Sequence, residues 1–186
     1  VIVDPRQVKS REALITAAID LVDERELGEI SVTDLASRAG LTRMTFYQHF
    51  ADRDALLQAA GAERFESALG DFGTGEGQRR GLLAGSQVLL DHLSEHRVFY
   101  QRLVLGTSGI QTYQAIQAFL SDRIARAAAL DGIELDEAQR LFLGGGAMAH
   151  ISRWLDDDAA RVFPEDSTAE AIAALISSYI RAPGPR

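Results

Sequence analysis

A chain of 186 residues, 46% hydrophobic and 25% charged, carries enough apolar material for a real core and has the make-up of an ordinary globular protein. It has no cysteine, which excludes disulfides, thiolate metal sites and thiol catalysis. Its net charge of −8 counts against nucleic acid unless cations gather locally, because DNA senses only the face it meets.

Residues 1–54 already hold Arg6, Lys9, Arg11, Arg25, Arg38, Arg43 and Arg53 against ten acids, so any DNA-binding face has to be a patch. No stretch approaches the roughly 20 apolar residues of a membrane span. Val1 to Lys9 holds Asp4, Pro5, Arg6 and Gln7 where a secretory leader needs an apolar run. The expectation is a cytoplasmic protein with no membrane partner.

Glycine and proline fall in connections, and the periodicity is helical nearly throughout. Asp4-Pro5 offers an N-cap followed by proline at the first helical position. Leu14, Ala17, Ala18, Leu21 and Val22 then form an apolar stripe on a helix expected to stop near Leu27-Gly28. Ser31-x-x-Asp34 has capping-box spacing and starts a short helix that Gly40 ends. Thr42 caps a second short helix, Arg43 to Phe50, and Asp52 caps a longer one to about Leu69. Residues 70–77 (GDFGTGEG) read as a flexible connector; they lack the preceding strand and the Lys-Ser/Thr ending of a phosphate loop. Further helices are expected from about Arg79 to Leu93, Glu95 to Leu105 and Ile110 to Leu130. Asp136-x-x-Gln139 starts one running to about Leu155, and Ser167-x-x-Glu170 starts the last, which ends before Pro183. The expected fold is all-α, with about nine helices.

The informative stretch is residues 31–57, SVTDLASRAGLTRMTFYQHFADRDALL. Two short helices joined by Ala39-Gly40-Leu41-Thr42 are helix-turn-helix chemistry. Leu35, Ala36, Leu41, Phe46 and Phe50 can close a small core against Leu14, Ala18 and Val22. The second helix then projects Arg43, Met44, Thr45, Tyr47, Gln48 and His49 outward. Arginine can bond a guanine edge, glutamine an adenine, and threonine or methionine can touch a thymine methyl. Threonine, tyrosine, histidine and arginine can bond phosphate oxygens and fix register. Arg53 lies in the first turn of the next helix, where free backbone N–H groups also favour phosphate.

Residues 10–57 resemble the N-terminal domain of TetR-family repressors. The resemblance rests on the helix pattern Ala13 to Val22, Val32-Thr33-Asp34-Leu35-Ala36, Ala39-Gly40-Leu41-Thr42, Thr45-Phe46-Tyr47-Gln48-His49-Phe50 and Asp52-Arg53-Asp54-Ala55-Leu56-Leu57. It implies an N-terminal helix-turn-helix domain, residues 1–52, and a ligand-binding and dimerisation domain, residues 53–186. It also implies base contacts from Arg43, Met44, Thr45 and Gln48, and phosphate contacts from Thr33, Thr42, Tyr47, His49 and Arg53. Met44 stands where the family often has glycine, and Arg53 where it usually has lysine. Arg11 and Arg38 read as solvated charges or peripheral phosphate contacts.

In the C-terminal half, Leu141, Gly145, Met148, Ile151, Ser152 and Leu155 lie along one side of a helix. Ile172, Leu175, Ile176, Tyr179 and Ile180 do so on the last. A run of three glycines at 144–146 costs a helix about 1 kcal/mol per residue relative to alanine, which points to a close backbone neighbour or to room for a ligand. The resemblance implies a homodimer through the terminal helices, with Gly145, Met148, Ser152, Leu155, Ile172, Ile176 and Tyr179 at its interface. Candidate pocket walls are Phe99, Tyr100, Leu103, Tyr113, Phe119, Phe142 and His150; ordinary core is an equal reading for each. His92 and His96 are separated by a predicted helix break, so no metal is assigned, and no cofactor.

The function implied is a ligand-responsive regulator, read as a repressor, binding a palindromic double-stranded DNA operator, with an unidentified small-molecule effector; activation instead of repression, or a ligand acting as corepressor, is equally compatible with the sequence. A small-molecule-binding protein with a non-functional helix-turn-helix is the alternative, favoured by the acidic charge and opposed by Arg43, Gln48, His49 and Arg53. No Ser/His/Asp arrangement or Glu-x-x-His pair supports an enzyme, so none is expected.

Overall fold

The computed structural model describes residues 4–69, 81–106, 109–130, 132–156 and 165–181, and every regular element among them is helical. The fold is all-α. In chain order the helices are α1 (Pro5–Glu24), α2 (Val32–Arg38), α3 (Arg43–His49), α4 (Arg53–Leu69), α5 (Gly81–Glu95), α6 (Arg97–Leu105), α7 (Gly109–Leu130), α8 (Glu137–Leu155) and α9 (Glu165–Arg181), with one 3-10 turn at Leu27–Glu29.

The capping signals in the sequence act where they stand. The Asp4 carboxylate accepts from the Arg6 amide at 2.9 Å with Pro5 at the first helical position. Asp136 and Gln139 form a reciprocal box at the head of α8, each bond 2.8 Å. Two boundaries differ from expectation. α1 ends at Glu24 rather than near Gly28, because Leu27, 4% exposed, reaches the core only through the 3-10 turn. α9 begins at Glu165, two residues ahead of the expected start. The predicted start at Arg79 and the connector 70–77 lie outside the described residues.

The chain divides into two compact units, Val1–Glu66 with Val98–Thr112, and Ser67–Arg97 with Tyr113–Arg186. In the first, α1, α2 and α3 pack around Leu14, Ala18, Leu21, Val22, Leu35 and Phe46, all at most 1% exposed. Leu56, Leu57 and Phe65 of α4 and Phe99, Tyr100 and Leu103 of α6 extend this core. Each such side chain contributes about 1.5–3 kcal/mol relative to exposure. In the second unit α9 packs against α5 and α8, burying Ile172 and Ile176.

Candidate nucleic-acid interface

The reading surface is built from backbone outward. Ser31 caps α2: its hydroxyl accepts from the Asp34 amide at 3.2 Å, and the Asp34 carboxylate accepts from the Ser31 amide at 2.9 Å and from the Ser31 hydroxyl. α2 ends in a Schellman turn. Gly40 sits at φ +68°, the Leu41 amide donates to the Ala36 carbonyl at 2.8 Å, and the Gly40 amide to that of Ser37 at 3.1 Å. Thr42 then caps α3, accepting from the Thr45 amide at 3.1 Å.

This turn sets the phase of α3. Phe46 is fully buried and Phe50, its C-cap, nearly so, their rings 6.1 Å apart. The opposite face is bare: Met44 is 73% and Tyr47 51% exposed, Arg43 and Gln48 are exposed, and Thr45 and His49 are half-buried. Thr33 and Thr42 are exposed at its margin. The Tyr47 ring meets the edge of Phe46 at 5.3 Å, which steadies it while its rim stays in solvent.

The structure sorts the arginines that the sequence offered together. Arg43 has no ion pair among the described residues. Arg38 forks onto Glu24 at 2.9 and 2.6 Å and lies 3.9 Å from Asp20, joining α2 to α1. That hydrogen-bonded guanidinium holds the Glu24 carboxyl below its ordinary range, and the Ser31 hydroxyl does the same for Asp34. Arg53 is turned inward. Its Nη1 donates to the carbonyls of Leu27 and Ile30 at 3.0 and 3.3 Å, and its Nε donates to Asp54 at 3.0 Å. In this arrangement Arg53 fastens the start of α4 to the connector before α2.

Two arginines that sequence reasoning did not single out hold the other end of that connector. Arg102 of α6 donates to the carbonyls of Val22 and Asp23 at 2.6 and 3.0 Å and to Glu26 at 3.0 Å, capping the C-terminus of α1. Arg64 of α4 forks onto Asp23 at 3.0 and 2.9 Å and lies over the Phe99 ring, 4.4 Å from its centroid. Residues 22–30 are thus gripped by Arg53, Arg64 and Arg102. Partners 23 to 80 positions away leave no local signal for this.

The remaining candidates divide between the units. Phe99, Tyr100 and Leu103 are core of the first unit, at 0–1% exposure, and burial pushes the Tyr100 phenol upward. Tyr113, Phe119 and His150 are half-buried in the second, with Arg123 over the Phe119 ring at 4.8 Å. Phe142, expected as a pocket wall, is 65% exposed and stacks beside Tyr179, centroids 5.4 Å apart. Of the expected interface residues, Met148, Leu155, Ile172 and Ile176 are buried within the chain, Gly145 and Ser152 are half-buried, and Tyr179 is exposed. The glycine run has its close neighbour inside the chain: a Cβ on Gly144 would lie 2.0 Å from Ser121 Oγ and 2.9 Å from the Gln117 carbonyl of α7. Gly146 faces open space. His96 follows the last residue of α5, yet its ring meets that of His92 at 4.9 Å. Among the described residues no three metal-binding side chains converge.

Residues 14–60 match the model of the bacterial regulatory proteins of the tetR family. Over those residues the chain is similar to the DNA-binding domain of the TetR family. The dhaKLM operon transcriptional activator DhaS of Lactococcus lactis is 26% identical over 112 residues, 60% of this chain and 58% of that protein. The regulator EthR of Mycobacterium tuberculosis is 44% identical over 45 residues, 24% of this chain and 21% of its own length. Alignments with these curated relatives span from 15% to 58% of those proteins. Among solved structures, FadR of Thermus thermophilus with lauroyl-CoA superimposes with a TM-score of 0.64 at 20% identity, covering 95% of this chain and 99% of that one. RolR with resorcinol gives 0.64 at 18% identity, covering 97% of each. At such identities the superpositions speak for the all-α fold.

Proposed function

We propose that this chain is a ligand-responsive transcriptional repressor that binds a palindromic duplex operator as a homodimer, residues 1–52 reading DNA and residues 53–186 serving the effector and the partner subunit. One observation carries the DNA reading: α3 buries Phe46 and turns Arg43, Met44, Tyr47 and Gln48 to solvent, with Arg43 in no ion pair among the described residues. A structural helix would spend such side chains on its own fold. Arg43, Met44, Thr45 and Gln48 address base edges, while Thr33, Thr42, Tyr47 and His49 address phosphates. For Arg53 to reach a phosphate it must give up its bonds to Leu27 and Ile30.

Support for the dimer comes from the second unit. Leu141 and Phe142 of α8 and Leu175 and Tyr179 of α9 are 36–65% exposed, an apolar surface suited to a like partner. A two-fold pair sets two α3 helices on half-sites about 34–36 Å apart or a multiple of that. Two of the similar structures hold small organic molecules, resorcinol and lauroyl-CoA, which supports an effector in the second unit near Tyr113, Phe119 and His150. The effector acts by its differential affinity for two states of the dimer. No described helix is long and apolar enough to cross a membrane, in keeping with action in the cytoplasm.

Selecting bound duplexes from a random pool tests the reading. A palindromic consensus is expected, and Arg43→Ala relaxes one symmetric position at a cost of about 1–3 kcal/mol. Uniform weakening at every position would instead make Arg43 a phosphate contact, and absence of salt-dependent duplex binding would leave only the small-molecule-binding alternative.

A further inference from the structure

α1 is charged against its own dipole. A helix favours acids in its first turn and cations in its last. Here Asp4 caps the start, but the first turn holds no acid and the last no base. Its N-terminal half carries Arg6, Lys9 and Arg11 against Glu12 alone; its C-terminal half carries Asp20, Asp23 and Glu24 with no cation. The acidic end is answered within the fold: Arg38 meets Glu24 at 2.6 Å and Asp20 at 3.9 Å, and Arg64 meets Asp23 at 2.9 Å. The basic end is not. Of the nine cations in the first unit, Arg25, Arg38, Arg53, Arg64 and Arg102 are in ion pairs. Arg6, Lys9, Arg11 and Arg43 have none among the described residues, and all four are exposed. The acidic balance of the unit therefore hides a segregation. Its acids are concentrated around α1's far end and the connector, and its unspent cations lie on α3 and the start of α1.

The start of α1 meets the end of α3 at Arg11. The Arg11 guanidinium lies over the Phe50 ring at the end of α3, 5.4 Å from its centroid. Gln7, Val8 and Arg11 line, together with His49, Glu12 and Glu63, one open cleft of about 470 Å³. A helix that keeps an unfavourable charge order, on a surface continuous with the reading helix, is organised for an external anion rather than for its own stability.

We infer that the N-terminal half of α1 is a second DNA contact surface, in which Arg6, Lys9 and Arg11 bind the phosphodiester backbone flanking the bases read by α3. Phosphate contacts position without specifying, so this surface adds affinity and register and leaves the consensus unchanged. The inference rests on the DNA-binding reading above.

The test compares the full chain with R6Q/K9Q/R11Q on a selected duplex with long flanks, following affinity against salt. Each lost phosphate contact lowers the log–log slope by about 0.9. The variant is expected to lose about one slope unit or more per subunit, keep the same consensus, and melt at the same temperature or higher. Trimming the flanks should abolish the difference, while Arg126→Gln, an exposed cation on α7, leaves the slope untouched. Lys9, the only lysine in the sequence, gives a direct readout: its reductive methylation should be slowed by the long duplex and not by the trimmed one. An unchanged slope in the triple variant, with wild-type binding intact and Arg43→Ala still relaxing specificity, overturns this inference alone. Wild-type protein that binds no duplex overturns the DNA reading itself.

Discussion

The two compact units solve opposite surface problems. In the first, short helices are fixed at their ends by local devices: the Ser31–Asp34 box, the turn at Gly40 and the Thr42 cap. What α3 turns outward is mostly polar, Arg43, Tyr47 and Gln48 beside Met44. In the second, long helices are held by close backbone approach, with Gly144 of α8 against Gln117 and Ser121 of α7, and what they turn outward is apolar: Leu141, Phe142, Leu175 and Tyr179. A polar face suits a charged, hydrated partner, and an apolar one suits a copy of itself. The difference teaches that two units of one chain can leave opposite chemistries uncovered.

Four perturbations sharpen or break that contrast, in order of decreasing effect. Leu35→Ala empties a fully buried site between α1 and α3, and urea unfolding should show a loss of about 2–5 kcal/mol; a loss below 1 kcal/mol would mean that the first unit has no tight core. Gly144→Val drives a side chain into Ser121 and the Gln117 carbonyl and should cost about 1–3 kcal/mol, whereas Gly146→Ala, facing open space, should stabilise α8 by up to about 1 kcal/mol. Equal effects at the two positions would refute close α7–α8 packing. Gly40→Ala meets no atom within 4 Å but must hold φ +68°, so thermal melting should report a loss of about 1–2 kcal/mol from conformation alone.

The smallest effect is acid titration. Glu24 and Asp34 ionise below their ordinary range, so what they contribute is complete above the usual carboxylate values and is lost as pH falls through the lowered ones. Amide protection across α1 and α2, taken relative to the intrinsic exchange rate at each pH, should therefore weaken as the medium is made more acidic than about pH 4. Glu24→Gln together with Asp34→Asn should flatten that response; if it does not, the acid-sensitive links lie elsewhere.

Much of the first unit was legible in the sequence because its instructions are local. Capping boxes span three residues, the Gly40 turn spans six, and the alternation of Phe46 and Phe50 with Arg43, Tyr47 and Gln48 follows helical period. The same locality gave the heads of α1 and α8. It misplaced the end of α1, where burial of Leu27 outweighed the nearer signals, and the start of α9 by two residues.

By itself the sequence determined an all-α chain, the two short helices with their turn, and which face of α3 is apolar. Only the tertiary structure decided which cations are available and which are spent. Arg38 and Arg53 are bound up within the fold while Arg11 and Arg43 are left without ion pairs among the described residues, and Arg64 and Arg102 became clamps on residues 22–30. It also gave Gly144 its neighbour in α7 and left Phe142 exposed beside Tyr179. The physical reason is range: caps and periodicity are satisfied within a few residues, whereas a charge or a bare apolar ring is answered by whatever the folded chain brings from tens of positions away.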